Sequence, residues 1–114
     1  MKIPKSIRIG GVEYEVRDNC PSLNDGEQLL YGLINYNDCV ISLSDVAVGH
    51  QMKCLTLWHE ILHGIRNNNG MEIENEEAVV EMFARGIYQV LQDNGGRLFD
   101  LKEVRSNENS NSSN

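Results

Sequence analysis

Over residues 6–16 (SIRIGGVEYEV) apolar and polar side chains alternate on both sides of Gly10-Gly11. That period of two puts Ile7 and Ile9, then Val12, Tyr14 and Val16, on one face of two strands, with the glycine pair as a tight turn. Residues 18–28 (DNCPSLNDGEQ) are dense in turn formers and read as a loop. In 31–44 (YGLINYNDCVISLS) two short β segments flank the region 35–38, which predicts a second hairpin turning at Tyr36-Asn37-Asp38. Its last part, 39–43, is rich in β-branched residues.

The period then changes. From about 46 to 66 there is no proline, and Cys54, Leu57, Trp58, Ile61 and Ile65 recur at helical spacing with Leu55 and Leu62 alongside. Ser44 and Asp45 are residue types that cap a helix, and the run NNNG at 67–70 stops one. A second helix is expected over about 74–92, with Ala78, Val79, Met82, Phe83, Gly86, Ile87 and Val90 facing inward and Asn94-Gly95-Gly96 ending it. Residues 98–104 (LFDLKEV) form one further short element, and 106–114 (SNENSNSSN) have the composition of a disordered tail.

With 114 residues the chain holds one small α+β domain, placed at 1–105, and no second core. The net charge of −7 and the lack of a Lys/Arg run argue against nucleic-acid partners. No apolar run is long enough to span a bilayer, and the start (MKIPKSIRIGG) carries no secretory signal, so a cytoplasmic location without membrane contact is expected. Cys20, Cys39 and Cys54 lack paired spacing and read as free thiols.

Candidate chemistry sits on the first helix, where residues 58–63 read WHEILH. On a helix, residues four apart differ by about 40° in direction and about 6 Å in rise. His59 and His63 therefore project together as two ligands for one zinc ion, and Glu60 beside them is placed as a general base. The apolar x positions suit a buried helix, where two histidines and a glutamate are costly without a metal or hydrogen-bond partners. His50, nine residues before His59, points the opposite way and reads as a surface residue. The third ligand is sought on the second helix, among Glu74, Glu76, Glu77 and Glu81. Glu77 is favoured, with Glu81 orienting a ligand imidazole; the reverse assignment is the rival. Glu72, Glu74 and Glu76 read as solvated charge near a helix N-terminus.

Together, Gly32–Leu43 of the strand pair, TLWHEILH over Thr56–His63 and EAVVEMFA over Glu77–Ala84 resemble the small glutamate-type zincins, or minigluzincins. These include the ImmA/IrrE-type metallopeptidases of bacteria, phages and mobile elements, and the similarity is greatest to the short phage and prophage members. The resemblance covers roughly residues 6–93. It implies a zincin-like domain in which an antiparallel or mixed sheet of three to four strands packs on an active-site helix and a second, glutamate-bearing helix. It also implies zinc at His59 and His63, Glu60 as base, and a second-helix glutamate, best matched by Glu77, completing the site. Where related members have A-N-x-F-A, this chain has Val80-Glu81-Met82-Phe83-Ala84, with glutamate in place of asparagine.

The function expected is a zinc-dependent endopeptidase acting on a protein substrate, such as a phage or mobile-element regulator. The alternative is a zinc-stabilised binding module or host modulator without turnover. No oxyanion stabiliser stands out; Tyr88 is a distant candidate that reads more simply as a packed aromatic.

Overall fold

In the computed structural model, which describes residues 2–21, 23–25, 28–46 and 49–98, a four-stranded mixed sheet packs against one helix and that helix against a second. The fold is α+β, as the two periods of the sequence predict. Strands β1 (Ser6–Ile9) and β2 (Val12–Cys20) pair antiparallel with Ile9 opposite Val12. The turn between them has φ of +58° at Gly10 and +85° at Gly11, the left-handed geometry a two-residue hairpin demands. A small ladder follows, β3 (Asn24–Asp25) with β4 (Gln28–Leu29).

Strands β5 (Gly32–Asn35) and β6 (Val40–Ser44) form the second hairpin. Its turn is tied by Asn35, whose Oδ1 accepts from the Asp38 amide at 3.0 Å. β6 lies parallel to β2, so the order across the sheet is β1-β2-β6-β5 and β5 is an edge. The central place of β6 explains its apolar run: Ile41 and Leu43 are fully buried. Burial of such a side chain stabilises by about 1.5–3 kcal/mol.

Helix α1 (His50–Asn68) lays Leu57 and Ile61 on the core formed by Ile9, Tyr14, Val16, Ile41 and Leu43. Gly64 lets it approach the sheet closely, since a Cβ there would lie 2.8 Å from Ile9 Cδ1 and 3.1 Å from Ile34 Cδ1. Helix α2 (Glu76–Asn94) packs on α1 through Val80, Ala84 and Tyr88, and a 3₁₀ turn (Gly95–Leu98) follows it.

Several expectations need correction. The segment 18–28 is not simply a loop, because β2 runs on to Cys20 and the β3–β4 ladder follows. α1 starts at His50 behind Gly49, with no side-chain cap, while the Ser44 hydroxyl accepts from the Val46 amide instead. Ile65 is exposed. On α2 the inward face is rotated: Val80, Ala84 and Tyr88 are buried, whereas Ala78, Met82, Phe83, Gly86 and Val90 face solvent. A carboxylate stripe at Glu77 and Glu81 shares the side turned to α1, which displaces part of the apolar set outward. Cys20, Cys39 and Cys54 are free thiols. The element expected at 98–104, apart from Leu98, and the disorder expected at 106–114 concern residues outside those described.

Candidate metal centre

The connection between the helices sets the site. Asn69 and Gly70 donate backbone hydrogen bonds to the Ile65 and Asn67 carbonyls, and Gly70 has φ of +62°. Asn75, at φ +57°, starts α2. The chain thus reverses over 69–75, and the first turns of α2 stand opposite the His59–His63 face of α1.

His59 and His63 lie one turn apart with ring centroids at 4.8 Å and an interplanar angle of 63°. Their Nε2 atoms are 3.1 Å apart. Glu77 closes this pair from α2, with one carboxylate oxygen 3.1 Å from His59 Nε2 and the other 2.9 Å from His63 Nε2. One donor atom from each of His59, His63 and Glu77 falls within 4.8 Å of the others, a cluster compatible with a metal ion.

The opposite ring nitrogens are also occupied. Glu81 Oε2 lies 2.9 Å from His59 Nδ1, and Glu76 Oε2 contacts His63 Nδ1. Carboxylates thus flank both sides of each imidazole, Glu81 and Glu76 at the Nδ1 atoms and Glu77 at the Nε2 atoms. The two Nε2 atoms and the Glu77 carboxylate converge over about 3 Å, a nitrogen and oxygen donor set that suits a metal cation. The remaining carboxylate oxygens meet arginines: Arg66 Nε is 2.9 Å from Glu76 Oε1, although its N–H is not aimed along a hydrogen bond, and Arg85 Nε is 2.8 Å from Glu81 Oε1. When ionised, Glu76, Glu77 and Glu81 outnumber these two guanidiniums, so this part of the cluster is negative, a setting that suits a cation.

Glu60 is buried, at 7% exposure. Desolvation pushes its carboxyl up to about 7; the His59 charge opposes the rise and the Glu77 carboxylate adds to it. Its Oε2 lies beside Gly32 on the edge strand, where a Cβ would stand only 3.3 Å away and 2.4 Å from Thr56 Cγ2. A cleft of about 880 Å³ opens at this edge, between 30–36 and the faces of α1 and α2 that carry His59, Glu60, His63, Glu77, Glu81 and Arg85. Met52, Leu55, Leu30 and Leu33 make its walls partly apolar.

Compared with family profiles, curated proteins and solved structures, the chain matches none of them.

The cluster unites His59, His63, Glu60, Glu77 and Glu81 around the cleft. Glu81 sits on the outer nitrogen of His59, not among the inward donors. Glu76, expected to be solvated charge, instead joins His63 to Arg66, and that contact foremost holds its carboxyl below the usual range. Sequence reasoning missed Arg66, Arg85 and Gly32 as site residues; only the arginines carry a signal, Arg66 three residues after His63 and Arg85 four after Glu81, and Gly32 carries none. His50 is exposed at the start of α1, with Nε2 3.4 Å from Cys54 Sγ, away from the cluster. Tyr88 is buried, accepts a hydrogen bond from Gln92 at 2.6 Å and does not line the cleft, so it is unsuited to stabilise an oxyanion there. Among the described residues no helix is long and apolar enough to cross a membrane.

Proposed function

We propose that the chain is a zinc-dependent metalloendopeptidase that hydrolyses peptide bonds of a protein substrate in the cytoplasm. The observation that carries this reading is the convergence of two imidazole Nε2 atoms and the Glu77 carboxylate beside the buried carboxyl of Glu60. Two nitrogens and one oxygen suit zinc, and three protein donors leave a coordination position open, as catalytic rather than structural sites do. His59, His63 and Glu77 would hold the ion, and when bound it supplies a lowered pKa for water and polarises a carbonyl.

The chain's own residues do the rest. Glu60, with a pKa near neutrality, accepts a proton from the attacking water and returns it to the leaving amine as the C–N bond breaks. Its place against Gly32 puts that carboxylate beside the free edge of β5, where an extended peptide can add as a strand. Glu81 and Glu76 keep the imidazoles turned with Nε2 inward. This arrangement accords with the resemblance to the ImmA/IrrE-type minigluzincins, and a phage or mobile-element regulator is the substrate class that the resemblance suggests.

A second reading is favoured by one feature: the three inward donors bridge α1 and α2, so metal alone would clamp the helices together in a binding module without turnover. One experiment addresses both. Protein purified without chelator is expected to carry one zinc per chain, lost in His59→Ala, and to cleave members of a peptide library. Glu60→Gln is expected to keep the zinc and lose cleavage. Zinc without cleavage in either protein supports the clamp, and unchanged cleavage by Glu60→Gln defeats the proposed mechanism.

A further inference from the structure

Behind each histidine stands a chain of two more side chains. Arg66 Nε meets Glu76 Oε1 at 2.9 Å, and Glu76 Oε2 meets His63 Nδ1. Arg85 Nε meets Glu81 Oε1 at 2.8 Å, and Glu81 Oε2 meets His59 Nδ1 at 2.9 Å. The two chains are alike in connectivity and unlike in setting. Side-chain exposures along Arg66, Glu76 and His63 are 22%, 25% and 10%, against 66%, 46% and 18% along Arg85, Glu81 and His59.

We propose that Arg66 is a positioning residue that, through Glu76, fixes the orientation and tautomer of His63 and so sets the affinity of the site for zinc, whereas Arg85 does this only weakly for His59. The inference rests on the metal reading above. Its physical basis is screening: a half-buried charge pair is screened less by water than a well-exposed one. Arg66 is also fastened beyond Glu76, since its Nη1 reaches the Met71 carbonyl at 3.5 Å in the interhelical connection. The Tyr36 phenol donates to the His63 carbonyl at 3.3 Å, so the backbone and ring of His63 are held from separate sides. No comparable set of ties surrounds Arg85 among the described residues, which pairs within its own helix. Neither arginine touches a donor atom of the cluster, and each acts only through its carboxylate.

Two measurements test this. Zinc affinity is read by competition with a chromophoric chelator for the wild type, Arg66→Gln, Arg66→Lys, Glu76→Gln and Arg85→Gln. Loss of an outer partner of a ligand histidine weakens metal binding by about 10- to 100-fold. That range is expected for Arg66→Gln, with partial recovery in Arg66→Lys and less than about 3-fold for the exposed Arg85→Gln. Imidazole ¹⁵N shifts of the chelated protein report the tautomer: His63 is expected to be protonated at Nδ1 in the wild type and to become a mixture in Arg66→Gln. A purely structural arginine would lower the denaturation midpoint and leave tautomer and affinity alone. Should Arg66→Gln fail to fold, Glu76→Gln, which keeps an acceptor but removes the charge, carries the same expectation. Unchanged affinity and tautomer in Arg66→Gln or Glu76→Gln, or equal losses at Arg66 and Arg85, would overturn the inference. A wild type that binds no zinc sinks the metallopeptidase reading instead, and the tautomer shift still decides whether Arg66 positions His63.

Discussion

Replacing Glu60 by glutamine is expected to make the metal-free protein more stable above neutral pH, although it removes the group assigned the central chemical role. The carboxyl is buried at 7% exposure, and desolvation raises its pKa from 4.5 to about 7. Because the folded state holds the proton more tightly than the unfolded chain does, folding stability falls as pH rises from 4.5 to about 7 and is level beyond. A shift of that size corresponds to about 3 kcal/mol at pH 8. Glutamine has nearly the same shape and no charge to bury, so Glu60→Gln escapes that penalty. The assay is urea denaturation of both proteins with chelator present, at pH 4 and at pH 8. The variant's advantage is expected to grow by about 3 kcal/mol between the two conditions. Comparing the two proteins at each pH cancels the titrating groups that do not interact with Glu60, leaving Glu60 and its coupling to His59 and Glu77. Parallel stability curves would refute the buried ionisation and, with it, the idea that Glu60 is tuned toward neutrality by its surroundings. A dication in the cluster favours the carboxylate, so the advantage is expected to shrink on adding zinc.

At the acid end the sign reverses for Glu76, whose carboxyl is lowered chiefly by its hydrogen bond to His63 and also by Arg66. Its contribution is full above pH 4.5 and is lost as pH falls through the lowered value, so Glu76→Gln should flatten the acid limb of a stability profile measured by circular dichroism. Gly32→Ala forces a methyl to within 2.4 Å of Thr56 Cγ2 and 3.3 Å of Glu60 Oε2, and overpacking of this kind costs about 1–3 kcal/mol in a denaturation experiment. Zinc at a free concentration 100 times its dissociation constant is expected to add about 2.7 kcal/mol of stability, an increment absent from His63→Ala. Phe83→Ala, on a side chain 51% exposed, should change stability by no more than about 0.5 kcal/mol, whereas truncating the buried Val80 should cost more; equal losses would contradict the observed face of α2.

How far the sequence announces this arrangement depends on the element. Both hairpins are legible because their turns carry local signals: two glycines that can take positive φ at 10–11, and an asparagine at 35 whose side chain caps its own turn. The His59–His63 pair is legible because helical geometry alone brings residues four apart together. What is not local is harder to see. The parallel pairing of β2 with β6 joins residues such as Val16 and Ile41, and no short-range pattern dictates that partnership. β2 continues to Cys20 through Asn19 at φ +55°, a conformation that its polar, turn-forming sequence conceals.

The phase of α2 is the instructive case, because it determines the site. A choice of inward face made by hydrophobicity selects Met82, Phe83 and Val90, which are all about half exposed or more. The helix instead turns Val80, Ala84 and Tyr88 inward, and this rotation carries Glu77 and Glu81 against His59. Apolar burial and carboxylate placement make opposing demands on one helix. Turning Met82 and Phe83 inward would carry the Glu77–Glu81 stripe away from the half-buried His59 and the buried His63, whose imidazoles would then lack these partners, a loss of about 1–3 kcal/mol for each buried polar group. Leaving two large apolar side chains half exposed forfeits only part of their burial energy. Four carboxylate contacts to two histidines therefore outweigh the exposed methionine and phenylalanine. That balance also explains Glu76: once the phase is set by Glu77 and Glu81, the preceding residue falls beside His63 and Arg66 rather than in solvent. A sequence pattern scored by hydrophobicity alone misplaces the helix for the same reason that it misses the outer layer of the site. Both are consequences of polar pairs formed between α1 and α2, not of either helix read by itself.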